Sequence, residues 1–75
     1  MATFHAQFRQ LAGRKVPHMT VRAESLDGFS VQLEHRVAPL LGSRPITISA
    51  RRDGTLTVTN HVGARVGTGR WVRES

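Results

Sequence analysis

The amino-acid sequence predicts an α+β fold in which an N-terminal helix packs on one face of a four- to five-stranded antiparallel β-meander. Three observations support this prediction. The 75 residues are enough for one domain with a thin core; apolar and polar residues alternate along much of the chain after residue 18; and turn-forming residues separate the alternating runs. The expected organisation is a single small domain over 1–75, with a helix over about 4–12, hairpins over about 18–37 and 45–60, and an irregular or short-strand basic tail over 61–75.

The first segment has the apolar spacing of an amphipathic helix. Its stripe recurs at intervals of four, three and one residues and consists of Phe4, Phe8, Leu11 and Ala12. Thr3 is a suitable N-cap, and Gly13 suits the left-handed position that ends a helix. The Val16-Pro17 pair then favours an extended exit.

The next part of the chain is predicted to be a β-hairpin. Residues 19–23 alternate between apolar and polar, and residues 25–28 have the composition of a turn. Apolar residues then occupy odd positions, namely Phe29, Val31, Leu33 and Val37. A helix over 29–37 is the alternative, because three of these residues also share one helical face. The strand is favoured because the even positions from 30 to 36 are all polar and Pro39 would break a longer helix.

A second hairpin is predicted more strongly, because an Asp53-Gly54 turn separates two alternating runs. The residues expected to face the core are Ile46, Ile48, Ala50, Leu56 and Val58. After residue 60 the alternation continues only as far as Val66. The glycines at 63, 67 and 69 weaken it, so the tail is predicted to be either irregular or a short fifth strand.

The chain is strongly basic, and nearly all of its positive charge comes from arginine. Its net charge is +6, and ten of its 11 basic residues are arginines. A guanidinium group offers phosphate or carboxylate a planar, two-pronged donor, whereas an ammonium group is a point charge. A surface selected to bind anions explains this bias; a GC-rich coding sequence, which favours arginine codons whatever the residue does, explains it equally well.

Two surfaces are candidates for anion binding, and both have an ordinary solvated surface as the alternative. The first is the polar face of the predicted sheet, with Arg22, Arg36, Arg51, Thr47, Ser49, Thr55, Thr57 and Thr59. The second is formed by the loops and the tail. Across both, the candidate nucleic-acid- or anion-binding residues are Arg14, Lys15, Arg22, Arg36, Arg51, Arg52, Arg65, Arg70 and Arg73.

Aromatic residues are few, and their expected positions decide how nucleic acid would be contacted. Trp71 is the candidate anchor for a partner, with a cap over the open end of the core as its alternative role. Phe4, Phe8 and Phe29 are all assigned to the core, which disfavours a base-stacking platform. We therefore expect contacts to the phosphate backbone.

Catalytic, metal and cofactor sites are not expected. The four histidines are 13, 17 and 26 residues apart, which matches no pair spacing of metal ligands, and there are no cysteines. Two of the five acidic residues are needed in turns, and no nucleophile and base lie at a useful spacing. The glycine-rich run 63–70 has no lysine and no following helix, so it does not resemble a phosphate-binding loop.

The function predicted is a non-catalytic binding module for nucleic acid or a nucleoprotein complex, acting mainly through arginine contacts. The alternative is a small protein-interaction module that uses a sheet edge, Trp71 or the tail on an acidic partner surface, as a phage- or plasmid-type inhibitor or accessory subunit would. A cytoplasmic location without membrane contact is expected, although the acid-free residues 1–22 also suit an organelle transit peptide. Exposed sheet edges also suggest a homodimer. The anion-binding interpretation depends on 29–37 being a strand and on arginines free of carboxylate partners.

Overall fold

The computed structural model describes residues 1–11, 13, 15–42 and 45–74, which form a five-stranded antiparallel sheet with one helix packed across it. The strands are β1 (Ala2–Leu11), β2 (Met19–Ala23), β3 (Thr47–Ala50), β4 (Thr55–Thr59) and β5 (Arg65–Glu74). The helix α1 (Leu26–Val37) follows β2 and continues into a 3-10 turn over Ala38–Leu41. The strand order across the sheet is β2-β1-β5-β4-β3. The α+β class is therefore confirmed, whereas the N-terminal position of the helix is wrong.

The segment predicted to be the helix is the long strand β1. Its even-numbered residues from Ala2 to Phe8 are buried and the intervening residues are exposed or half-buried, which is the two-residue period of a strand. A β-bulge then shifts this period: Phe8 pairs with Gly69 and Gln10 pairs with Thr68, so Arg9 is an extra residue. Leu11 returns to the buried side as a result. The three-residue step from Phe8 to Leu11 imitates helical spacing. Residue 12, the predicted end of the helix, lies outside the described residues.

The helix is formed by the segment predicted to be the second strand of the first hairpin, so the hairpin over 18–37 is also wrong. The side chain of Ser25 caps α1 by accepting a hydrogen bond from the backbone N–H of Gly28 at 3.1 Å. Phe29, Leu33 and Val37 are each fully buried, as expected for one helical face. Val31, which a strand would have buried beside Leu33, is 51% exposed. β2 instead pairs with β1.

The remaining three strands include a hairpin at the position of the second one predicted. β3 and β4 are antiparallel neighbours, and the segment between them turns at Gly54 with a φ of 94°. β5 occupies the place of the predicted tail and lies in the middle of the sheet, between β1 and β4. Two glycines of β5 permit the close approach of β1. An added Cβ at Gly67 would lie 2.6 Å from the backbone oxygen of Gln10, and one at Gly69 would lie 2.5 Å from that of Gln7.

The core lies between α1 and the sheet. Phe29 of α1 stacks on Phe4 of β1 with ring centroids 4.6 Å apart, and Trp71 of β5 packs beside both rings. Packing of the amphipathic helix rather than helix propensity accounts for its stability, because an isolated helix of 12 residues is marginal in water. No helix in the described part of the chain is long and apolar enough to cross a membrane.

The helix also covers both edge strands of the sheet. On β2, the side chains of Gln32 and Arg36 donate hydrogen bonds to the backbone oxygens of Arg22, at 2.9 Å, and Thr20, at 3.1 Å. On β3, the carboxylate of Glu34 accepts a hydrogen bond from the backbone N–H of Ile48 at 3.0 Å. Edge groups of this kind otherwise invite another strand to pair. In this fold, polar side chains of α1 occupy three of these groups.

Candidate functional site

The face of the sheet turned away from α1, here called the open face, is almost entirely polar. The pairing registers place one side chain of each strand side by side in rows across it. Its members are Thr3, His5, Gln7 and Gln10 of β1, Thr20 and Arg22 of β2, Thr47 and Ser49 of β3, Thr55, Thr57 and Thr59 of β4, and Arg65, Thr68, Arg70, Val72 and Glu74 of β5. The predicted polar face is thus present on β2, β3 and β4, but without Arg36 and Arg51.

Three of the predicted anion-binding residues lie on the open face. Arg70 is in the row of Gln7 and Thr55, and Arg65 is in the row of Thr59. Arg22 is two strands from β5, in the row of Thr3 and Glu74. With strands about 4.8 Å apart and a rise of about 3.3 Å per residue, Arg65, Arg70 and Arg22 are spaced at about 15 Å along a diagonal. The diagonal is about 30 Å long, close to the 33 Å longest extent of the molecule.

A cleft of about 460 Å³ opens beside the bulge in β1. It is lined by Gln7, Phe8, Arg9, Thr55, Thr68, Gly69 and Arg70. Two guanidinium groups, one amide and the hydroxyl of Thr68 thus offer donors to it, whereas the hydroxyl of Thr55 donates to Asp53 at the border; no carboxylate is among its described lining residues. Such donors suit a phosphate or another anion. Arg9 is not among the residues predicted from the sequence, because the spacing of Phe4, Phe8 and Leu11 assigns it to a helix; the alternation of residues 2–8 is the signal for its position in a strand.

The other predicted anion-binding residues lie elsewhere. Arg36 is on α1 and is tied to β2, so the prediction that places it on the sheet face is wrong; residues 26–37 are helical for the packing reason given above. Arg51 and Arg52 are exposed in the turn between β3 and β4, and Lys15 is exposed between β1 and β2. Arg73 pairs with Phe4 and therefore belongs to the core side of the sheet, where it is exposed at the rim. Arg14 lies outside the described residues.

Trp71, the predicted partner anchor, packs against the core side of the sheet. Its ring lies 5.7 Å from that of Phe4 and 6.1 Å from that of Phe29. The indole N–H donates a 2.7 Å hydrogen bond to the backbone oxygen of Arg51, and the backbone N–H donates to that of Gly54. The Trp71 side chain thereby holds the β3–β4 turn against β5. This position matches the alternative role given for Trp71, a cap over the core.

A pair of histidine rings lies at one end of the open face, beside the row of the cleft. The rings of His5 and His18 are stacked, with centroids 5.3 Å apart and planes 16° from parallel. Nε2 of His5 is 3.0 Å from a carboxylate oxygen of Glu74, and Nδ1 is 3.3 Å from the hydroxyl oxygen of Thr20. Because a carboxylate only accepts, Nε2 carries the proton and Nδ1 accepts from the hydroxyl. His5 is therefore held from both sides, while His18 is exposed.

Asp53 organises the border of the cleft at the β3–β4 turn. Its carboxylate accepts hydrogen bonds from the hydroxyl of Thr55, at 2.6 Å, and from the backbone N–H of the same residue, at 3.0 Å. The side-chain hydrogen bond is the largest cause that lowers the pKa of Asp53 below its ordinary value of 3.8, followed by the backbone hydrogen bond. This carboxylate is thus held by the turn and leaves the guanidinium groups of the cleft unneutralised.

The electrostatics of the open face are dominated by unpaired arginines. Within residues 1–11, 13, 15–42 and 45–74, the contact between a basic and an acidic side chain is the hydrogen bond of His5 to Glu74, and no arginine is paired with a carboxylate. Of the two conditions for anion binding, free arginines are found in that part of the chain, whereas the strand over 29–37 is wrong. The anion-binding surface expected on that strand, including Arg36, therefore does not exist, and the open face is a different surface, formed in part by β1 and by β5, which contributes Arg65 and Arg70. No cluster of three or more metal-ligating side chains occurs among the described residues. No family model, curated protein or solved structure was found to match the chain.

Proposed function

We propose that this protein is a non-catalytic module that binds nucleic acid, alone or within a nucleoprotein complex, through the arginines of the open face. One observation carries the proposal: Arg9, Arg22, Arg65 and Arg70 lie on or beside a polar face and have no carboxylate partners among the described residues. The carboxylate of Glu74 on that face is held by His5, and the carboxylate of Asp53 at its border is held by Thr55. A polyanion longer than one phosphate matches this spread of charge better than a small anion.

The spacing of the arginines supports an extended partner. Three arginines whose backbone positions are about 15 Å apart along the molecule would each contact a different phosphate of one strand or duplex. In the row between Arg65 and Arg70, the hydroxyl groups of Ser49, Thr57 and Thr68 offer further donors to phosphate oxygens. These contacts orient a nucleic acid without selecting its sequence, because they do not reach the edges of the bases.

The alternative, a protein-interaction module, has less support from this fold. The sheet edges that would receive a partner strand already bind side chains of α1. Trp71 packs on the core, and the segment expected to be a tail is the central strand β5. Binding of an acidic protein to the open face is one of the outcomes that the following experiment distinguishes.

The test compares two double variants that remove the same charge. Arg22→Gln with Arg70→Gln alters the open face, whereas Arg51→Gln with Arg52→Gln alters the exposed turn. The binding of a fluorescent 20-nucleotide DNA is measured by anisotropy from 50 to 200 mM salt. We expect the first pair to reduce the salt slope of the logarithm of affinity by about 1 to 2, and to weaken binding at least tenfold more than the second.

Equal losses for both pairs would mean that overall charge, rather than the open face, attracts the nucleic acid. The absence of any binding at 50 mM salt would contradict the proposal outright. Capture of an acidic protein in place of nucleic acid, with loss on the Arg22→Gln and Arg70→Gln substitutions, would reassign the same face to a protein partner and overturn the proposal.

A further inference from the structure

The open face carries two features that phosphate binding alone does not use. One is the cleft between β1 and β5, where the amide of Gln7 and the hydroxyl of Thr68 accompany the two guanidinium groups. The other is the exposed ring of His18 stacked on His5. The phenylalanines are buried, as predicted, and cannot stack on a base. The exposed ring of His18 is the flat group available for stacking on this face.

The cleft is too small for a duplex but suits a single nucleotide. A double helix keeps its bases paired and stacked inside, so it would contact such a surface with its phosphates and could not place a base in the cleft. A volume of about 460 Å³ accommodates one base and its phosphate. The amide and hydroxyl groups there match the donor and acceptor edges of an unpaired base, while Arg9 and Arg70 match its phosphate.

The histidine pair lies in the row of side chains next to the row of the cleft. His5 and Gln7 are two residues apart on the same face of β1, which corresponds to about 6.7 Å. This is about twice the 3.4 Å separation of stacked bases in a helix, and the ring of His18 is 5.3 Å from that of His5. A base next to the one in the cleft would therefore reach His18 only in a strand whose bases are unstacked. Since Glu74 and Thr20 hold His5 in place, the platform under His18 is already ordered before binding.

We propose that the nucleic acid bound is single-stranded, with one nucleotide in the cleft and an adjacent base stacked on His18. This inference rests on the proposed function and specifies its partner. A base in a duplex is stacked between its neighbours and is not free to cover the imidazole, whereas an unpaired base is. Stacking of this kind tolerates any base, because every base has a flat face.

The experiment measures the affinity of the full chain for a 12-nucleotide single strand and for a hairpin duplex with the same number of phosphates, at one salt concentration. We expect the single strand to bind at least tenfold more tightly. His18→Ala should weaken its binding about fivefold or more and leave duplex binding unchanged, while His18→Phe, which keeps a ring, should retain the affinity. His35→Ala is the matched control, because this exposed histidine is on α1, away from the open face.

Equal affinity for the two nucleic acids, or no effect of His18→Ala on the single strand, would overturn this inference and leave the proposed function standing. Equal losses for His18→Ala and His18→Phe would also overturn it, since they would assign the histidine a polar contact instead of stacking. If neither nucleic acid binds, the proposed function itself fails.

Discussion

Gly69 is the position where a single added methyl group should reveal how closely the two long strands approach. The Cβ of an alanine there would lie 2.5 Å from the backbone oxygen of Gln7 and 3.0 Å from the Cα of Phe8. A backbone oxygen cannot rotate away as a side chain can, so β1 and β5 would have to separate. Because β5 is the middle strand of the sheet and β1 is its neighbour, the separation would disturb the packing of both strands against α1.

The expected loss is large for a chain of this size. Forcing a methyl group into a packed site costs about 1 to 3 kcal/mol, and we place Gly69→Ala near the upper end because the obstacle is backbone. A domain of 75 residues has a total free energy of unfolding of about 4 to 11 kcal/mol. At about 4 to 8 °C per kcal/mol, a loss of about 2 to 3 kcal/mol lowers Tm by about 10 to 20 °C.

Gly28→Ala is the matched control for this substitution. Its added Cβ would lie 3.4 Å from the side-chain oxygen of Ser25 and 3.7 Å from the Cβ of Ala23, which are ordinary contacts. The residue is helical, so alanine should stabilise the protein by about 0.4 to 1 kcal/mol. Urea unfolding followed by circular dichroism measures both variants. Wild-type stability for Gly69→Ala would refute the close approach of β1 and β5.

Three further predictions concern the edge strand, the turn and the aromatic cap. Glu34→Ala leaves the backbone N–H of Ile48 without its partner and should cost about 1 kcal/mol and promote self-association in sedimentation measurements; a monomer of unchanged stability would contradict this role. Asp53→Asn should lower Tm at pH 7, because the carboxylate that accepts from Thr55 is lost. Since the folded-state pKa of Asp53 is below 3.8, its contribution is present above that pH and lost as the pH falls through the folded-state value, so the difference in Tm should shrink in that range; a constant difference would contradict this assignment. Trp71→Phe keeps the ring contacts but removes the indole donor, so hydrogen exchange should increase in residues 51–54, and unchanged exchange would contradict the capping role.

The fold class was predictable because the predicted and the observed arrangement both place one helix on one face of a sheet. The positions of the helix and of the first strands were not predictable, since two segments fit both the helical period and the two-residue period of a strand. Residues 2–11 alternate as a strand, but the extra residue at Arg9 shifts Leu11 and produces helical spacing from Phe8. Residues 29–37 alternate in polarity, but Phe29 and its partners four and eight residues later form one buried helical face. Local signals alone leave this choice to tertiary packing.

The candidate site was predictable where short polar strands follow a clear turn. The threonines of β3 and β4, together with Arg22, are on the open face as the alternation predicts. The cleft was not predictable, because it requires β1 beside β5, a contact between opposite ends of the chain. The glycines of β5, which weakened the prediction of a strand, are the residues that allow this contact.

Mapping of the binding surface by nuclear magnetic resonance tests the account most directly. The backbone amide signals of the uniformly labelled protein are followed while a 12-nucleotide single-stranded DNA is added at low salt. We predict that the largest shifts cluster in β1, β4 and β5 around Arg9 and Arg70, and that they reverse as salt is added. Shifts confined to α1 or to the turn at 51–54, or the absence of shifts, would contradict the assignment of the open face as the nucleic-acid-binding surface.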